Sequence, residues 1–234
     1  MYTFSAAKRL VLAGLCLLAA SSVEAQSGWT DRPRTLPVDS VLARFEAGER
    51  SRANPNAANR LVYDILYLPR VYSARKDSLL DGLERMALTS DAHRVRLAAT
   101  SFIAFAGQGG HVVPSGGSVL ARLLRMYRAG DRADVRLTII NRLPLLTERR
   151  EAAAFLRTVA AEPDTTRGDP IHGHFSHGDL RIEALARLAE MGEEGRAVLQ
   201  AMHRSGEGRS PQARAILESM ARRGFPVGEA RRQP

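Results

Sequence analysis

Apolar residues return every three to four positions along most of this chain, and no useful length alternates apolar with polar. That period predicts helices throughout and argues against half-buried strands. The pattern also repeats itself. Five segments align on Arg60, Arg96, Arg136, Arg181 and Arg214, spaced 36, 40, 45 and 33 residues apart. One residue before the arginine stand Asn59, Val95, Val135, Leu180 and Ala213. Three residues after it stand Tyr63, Ala99, Ile139, Ala184 and Leu217, and seven after it Tyr67, Ile103, Leu143, Leu188 and Ala221. Steps of four place these positions on one helical face. The stripe is weakest in the first and last units, as expected where a terminal repeat lacks one neighbour.

A second helix follows the arginine helix in each complete unit. Leu79, Leu80, Leu83 and Met86 line the first, and Val119, Leu120, Leu123, Leu124 and Tyr127 the second. Phe155, Leu156 and Val159 mark the third, and Val198, Leu199 and Met202 the fourth. Pro69, the stretch from Gly107 to Pro114, Gly130 and Gly192 break the helices. Asn54-Pro55 and Ser210-Pro211 read as helix starts, and Ser90-Asp91 and Asp131 as caps of the second and third units. Val38 to Phe45 predicts one further helix that covers the first pair. A lone pair of this size cannot bury both apolar faces, whereas stacked pairs can. The expected fold is therefore all-α, a right-handed α-α superhelix of about four to five helical pairs.

The segments Asp91-Ala-His-Arg-Val-Arg-Leu-Ala-Ala and Asp131-Arg-Ala-Asp-Val-Arg-Leu resemble the start of HEAT repeats, closest to the short bacterial, phycobilisome-lyase-like type. The likeness runs over about residues 55 to 222, within a repeat domain expected at 37–224. It thins to Asp179-Leu-Arg181 in the fourth unit and Ala213-Arg214 in the fifth. The resemblance implies that Arg60, Arg96, Arg136, Arg181 and Arg214, with Asp91 and Asp131, form a structural ladder between repeats. It also implies an interaction surface without a common chemistry. Lyase activity belongs to a few members of the family, and nothing in this sequence points to it.

The N-terminus changes the expected compartment. Lys8 and Arg9 precede the apolar run Leu10 to Ala20, and Val23-Glu-Ala25 supplies small residues for cleavage before Gln26. Residues 1–25 thus read as a signal peptide, which predicts a periplasmic or secreted protein without stable membrane insertion after cleavage. An apolar run of this length falls short of the roughly 20 residues that span a bilayer. Cys16, the single cysteine, lies inside that segment, and Leu15 before it is too large for lipoprotein processing. The mature chain then has no thiol and must be held by packing alone. Residues 26–36 and 225–234 read as a disordered lead-in and tail.

The formal net charge is +9, and removing Lys8, Arg9 and Glu24 leaves +8, with Lys76 the one remaining lysine. A basic chain brings in nucleic acid, anionic lipid and acidic polymers as partner classes. Export argues against nucleic acid. Acids interleave the arginines on every helix, which fits a solvated surface.

One local cluster has ligand chemistry. Asp169-Pro-Ile-His172-Gly-His174-Phe-Ser-His177-Gly-Asp179 occupies the longest inter-repeat connection. Imidazole with carboxylate suits zinc, copper or nickel, so His172, His174, His177 and Asp179 are the candidate metal ligands. A polar loop leading into a helix cap is the plainer reading of the same residues. Gln108-Gly-Gly-His111 lacks the strand and the Gly-Lys-Ser/Thr of a phosphate loop. No Gly-x-Ser-x-Gly elbow occurs, and no catalytic residue is predicted. Tyr63, Tyr67 and Tyr72, at helical spacing, read as packing residues or as part of a docking surface. The function expected from the sequence is a non-catalytic, cofactor-free scaffold that binds a protein along its concave face. The alternatives are a metal-binding protein using the histidine loop, or an arginine-rich binder of acidic polymer or anionic lipid.

Overall fold

A computed structural model describes residues 36–51, 55–67, 73–108, 118–130, 132–162, 180–207 and 211–223. The described residues form ten α-helices and one 3-10 turn, with no strand among them. In chain order the helices are α1 (Val38–Ser51), α2 (Pro55–Tyr67), α3 (Ser73–Thr89), α4 (His93–Ala106) and α5 (Val119–Ala129). They continue as α6 (Ala133–Arg142), α7 (Arg149–Ala161), α8 (Leu180–Glu190), α9 (Gly192–Ser205) and α10 (Pro211–Arg222). The 3-10 turn Leu143–Leu145 follows α6 directly. None of the described helices is long and apolar enough to cross a membrane.

Each aligned arginine stands on an even-numbered helix, and these helices form a row. Helix α2 packs on α4, α4 on α6, α6 on α8 and α8 on α10. The odd helices flank the row: α3 packs on α4, α5 on α6 and α7 on α8. The stripe accounts for this arrangement in the three middle units. Val95, Ala99 and Ile103 on α4, Val135 and Ile139 on α6 with Leu143 just beyond it, and Leu180, Ala184 and Leu188 on α8 are all buried. Burying one leucine-sized side chain contributes about 1.5–3 kcal/mol, so repeated stripes of this kind drive the stacking.

The first unit departs from the alignment. On α2 the buried face is Leu61, Val62, Ile65 and Leu66, while Tyr63, at the stripe position, is 51% exposed. Four aliphatic side chains bury without a polar atom to satisfy, whereas a buried tyrosine hydroxyl needs a partner. The helix is accordingly turned so that the aliphatic face points inward.

Helix starts differ in part from expectation. Helices α2 and α10 open on Pro55 and Pro211, where the missing N–H costs nothing. Ala92 occupies the cap position of α4 and Arg132 that of α6, and neither makes a side-chain cap bond. Ser90 therefore does not cap α4; its hydroxyl accepts from the Ala92 N–H at 3.3 Å inside the short α3–α4 connection. Asp131 lies outside the described residues. A side-chain cap does form on α5, where Ser118 accepts from the Ala121 N–H at 3.0 Å. Helix α9 ends on Gly206 with φ +69°, a left-handed conformation that favours glycine.

Gly195 and Gly82 admit the tightest of the approaches at described glycines. A Cβ on Gly195 would lie 1.8 Å from the Leu188 carbonyl oxygen, and one on Gly82 would lie 2.1 Å from Leu42 Cδ1.

Candidate functional site: arginine junctions and an aromatic edge

The repeated arginines hold the end of one helix to the start of another. Arg96, 7% exposed, donates from Nη1 to the carbonyls of Ser90 and Asp91 at 3.0 and 2.9 Å. These carbonyls follow the last turn of α3. Helix C-termini leave carbonyls without intrahelical partners, and a cation there also meets the negative end of the helix dipole. From its other edge the same guanidinium reaches the next unit, donating from Nε to Asp134 Oδ2 at 2.9 Å, with Nη2 on the same oxygen.

Asp134 is itself buried. Its Oδ1 accepts from the Val135 N–H at 2.9 Å, and His93 Nδ1 lies 2.7 Å from Oδ2. Burial pushes the Asp134 carboxyl up, but the bonds from Arg96 and His93 outweigh it and hold the group below the usual carboxylate range. His93 and Asp134 have the outline of a catalytic dyad. Arg96 already takes the carboxylate, however, and no hydroxyl bonds His93 among the described residues. The pair, with Arg96, joins α4 to α6.

The next two junctions repeat the carbonyl contact. Arg136 donates from Nε to the Tyr127 carbonyl, in the last turn of α5, at 3.1 Å, and its guanidinium lies 5.3 Å from the Tyr127 ring centre. Arg181, buried, donates to the Glu162 carbonyl, at the C-cap of α7, at 3.2 Å. Three successive arginines thus bind the C-terminus of the preceding helix. The end members differ: Arg60 is exposed, and exposed Arg214 donates to Glu218 at 2.9 Å on its own helix.

Asp91 is brought to Arg50 of α1, at 2.5 Å, and meets Arg96 only through its main-chain carbonyl. His172, His174, His177 and Asp179 lie outside the described residues. No group of three or more potential metal-binding side chains occurs among the described ones.

Further contacts between helices were not visible in the alignment. Arg122, 7% exposed, reaches from α5 to Glu84 and Asp81 on α3, at 2.5 and 2.7 Å. Arg149 donates to the Met191 carbonyl at 2.6 Å, and Arg157 makes a two-pronged pair with Glu207 at 2.9 and 2.6 Å. These arginines stand outside the repeated register, so spacing gives no signal for them.

The second feature is an edge along the ends of α2, α4 and α6. Tyr63 and Tyr67 stack at 4.2 Å between ring centres. The Tyr67 hydroxyl donates to the Phe105 carbonyl, and burial together with Tyr63 pushes that phenol up. The Arg142 guanidinium lies 5.1 Å over the Phe105 ring. Leu145, in the turn after Arg142, is 50% exposed. Tyr63 and Leu145 are the exposed large hydrophobic residues of the described chain.

The chain matches no family model, and no curated protein or solved structure is similar to it.

Proposed function

We propose that this protein is an exported, non-catalytic scaffold of HEAT-like repeats, wound as a right-handed superhelix, that binds another protein along the face of its even-numbered helices. The observation that carries this reading is the repeated junction. Arg96, Arg136 and Arg181 are spent on carbonyls of the preceding helix, and Arg96 also on Asp134 of the next unit. Polar groups used this way hold an array together and leave function to its surface. The same row carries Tyr63, Arg142 and Leu145, and tyrosine and arginine are residues that dominate binding energy at protein interfaces. The fold by itself assigns no partner.

The test is partner capture in the native host with a photo-reactive residue placed in turn along the even helices α2, α4, α6, α8 and α10 and along the odd helices. One recurrent protein captured from the even row alone is the expected result. Capture from the odd helices only, or from neither row, would overturn the reading.

A further inference from the structure

We infer that the edge formed by Tyr63, Tyr67, Phe105 and Arg142 receives an extended acidic protein segment that carries an aromatic side chain near its carboxylates. This deepens the scaffold reading and rests on it.

Arg142 has five N–H donors in a planar fork. Among the described residues it makes one hydrogen bond, to the Ser101 hydroxyl, 3.5 Å long and at the weak limit of such contacts. No carboxylate pairs with it among the described residues, although Arg50, Arg96, Arg122, Arg157 and Arg187 all have such partners. The guanidinium is instead laid over the Phe105 ring, 5.1 Å from its centre. That contact fixes its orientation without neutralising its charge. A fork held this way is set to receive a carboxylate in two-pronged fashion.

Beside it stands an aromatic step. Tyr67 is fixed by its hydroxyl on the Phe105 carbonyl, and Tyr63 stacks on it at 4.2 Å. Tyr63 remains 51% exposed and offers its ring to solvent. Burial raises the Asp64 carboxyl on the same helix, and the nearby Arg60 charge only partly opposes that shift. Among the described residues the edge therefore sets Arg142, a cation with no carboxylate pair, beside the open ring of Tyr63. Neighbouring helices lie about 8–10 Å apart, so the step from α2 to Arg142 spans roughly 10–20 Å. An extended chain covers that distance in about three to six residues. The partner segment thus places its aromatic residue and its carboxylate about that far apart. A chain whose net charge is +9 also attracts acidic partners at long range.

The probe is a fluorescent random copolymer of glutamate and tyrosine, compared with polyglutamate, with binding read by anisotropy. The copolymer should bind the intact protein about tenfold more tightly than polyglutamate, and Tyr63→Ala and Arg142→Gln should each weaken it about tenfold. Arg142→Lys should recover only part of the loss, because an ammonium has no planar fork. Unchanged melting temperatures in Tyr63→Ala would tie its loss to the surface and not to the fold. Equal affinity for the two polymers, unchanged binding in both variants, or preference for anionic phospholipid vesicles would overturn the inference. Photo-capture of a protein on the even row at α8 and α10, with none at Tyr63, would overturn it while leaving the scaffold reading in place.

Discussion

At the scale of single residues, Arg96 is the most heavily committed side chain described. It satisfies two carbonyls past the end of α3 and neutralises Asp134 on α6. Removing it leaves a buried carboxylate without its counter-ion, which typically costs about 3–5 kcal/mol. Arg96→Leu should therefore lower the urea unfolding free energy by about that amount, with Arg96→Lys intermediate because one ammonium cannot reach both partners. A loss under about 1 kcal/mol would show that the junction is not a stabilising contact. Asp134 adds a pH dependence. Its carboxyl is held below the usual range despite burial, so its contribution is complete above the unfolded value of about 4 and disappears as pH falls through the folded value. Urea titrations from pH 5 down to pH 3 should show a steep loss of stability in the native protein. Asp134→Asn should start from lower stability and lose less across the same interval.

At the scale of helices, the apolar stripe was the legible part. Val95, Ala99 and Ile103, with their counterparts near Arg136 and Arg181, are buried where the four-residue spacing puts them. The spacing also marked the arginines, but it could not name what they bind. Their shared partners are main-chain carbonyls, which leave no trace in side-chain pattern. The buried acid was hidden for another reason. Asp134 lies in the first turn of α6, and only helix rotation, which the sequence does not show, turns its side chain toward α4. Tyr63 was harder still, because α2 carries two candidate faces and the aliphatic one went inward. Glycine contacts were equally silent. In a helix, glycine to alanine ordinarily gains about 1 kcal/mol. At Gly195 the added carbon would meet the Leu188 backbone carbonyl 1.8 Å away, and the chain there cannot give without moving α8 from α9. At Gly82 the nearest atom is the tip of the Leu42 side chain, which can change rotamer. Thermal melting should find Gly195→Ala destabilised by at least about 1–3 kcal/mol and Gly82→Ala much closer to neutral; the reverse order would contradict the packing described for α9.

At the scale of the whole molecule, the charge and the row belong together. The buried guanidinium of Arg96 is paired with Asp134 and that of Arg122 with Glu84 and Asp81, so neither junction adds to the net +9 that partners meet. Surface arginines also pair with acids on their own helices, Arg50 with Glu46, Arg187 with Glu183 and Arg214 with Glu218, so the positive character is not a uniform coat. Partner binding through the even row should accordingly weaken with salt less steeply than binding of a polyanion to a basic stripe. The affinity of the captured partner, measured between low and physiological salt, checks this; a many-fold loss over that range would favour the acidic-polymer reading.

The contrast between committed middle arginines and exposed end arginines has a mechanical side. If the helix row extends as the proposed solenoid, a pull on its two ends loads these junctions in series. Those at Arg96, Arg136 and Arg181 are tied to the preceding helix, whereas Arg60 and Arg214 face solvent. Among the five arginine junctions, those at Arg60 and Arg214 would yield before the central three. Each unit, 36 to 45 residues long between the first four arginines, then pays out about 12–16 nm of slack as it yields. The molecule would act as a shock absorber that lengthens from its extremities while its middle keeps its shape.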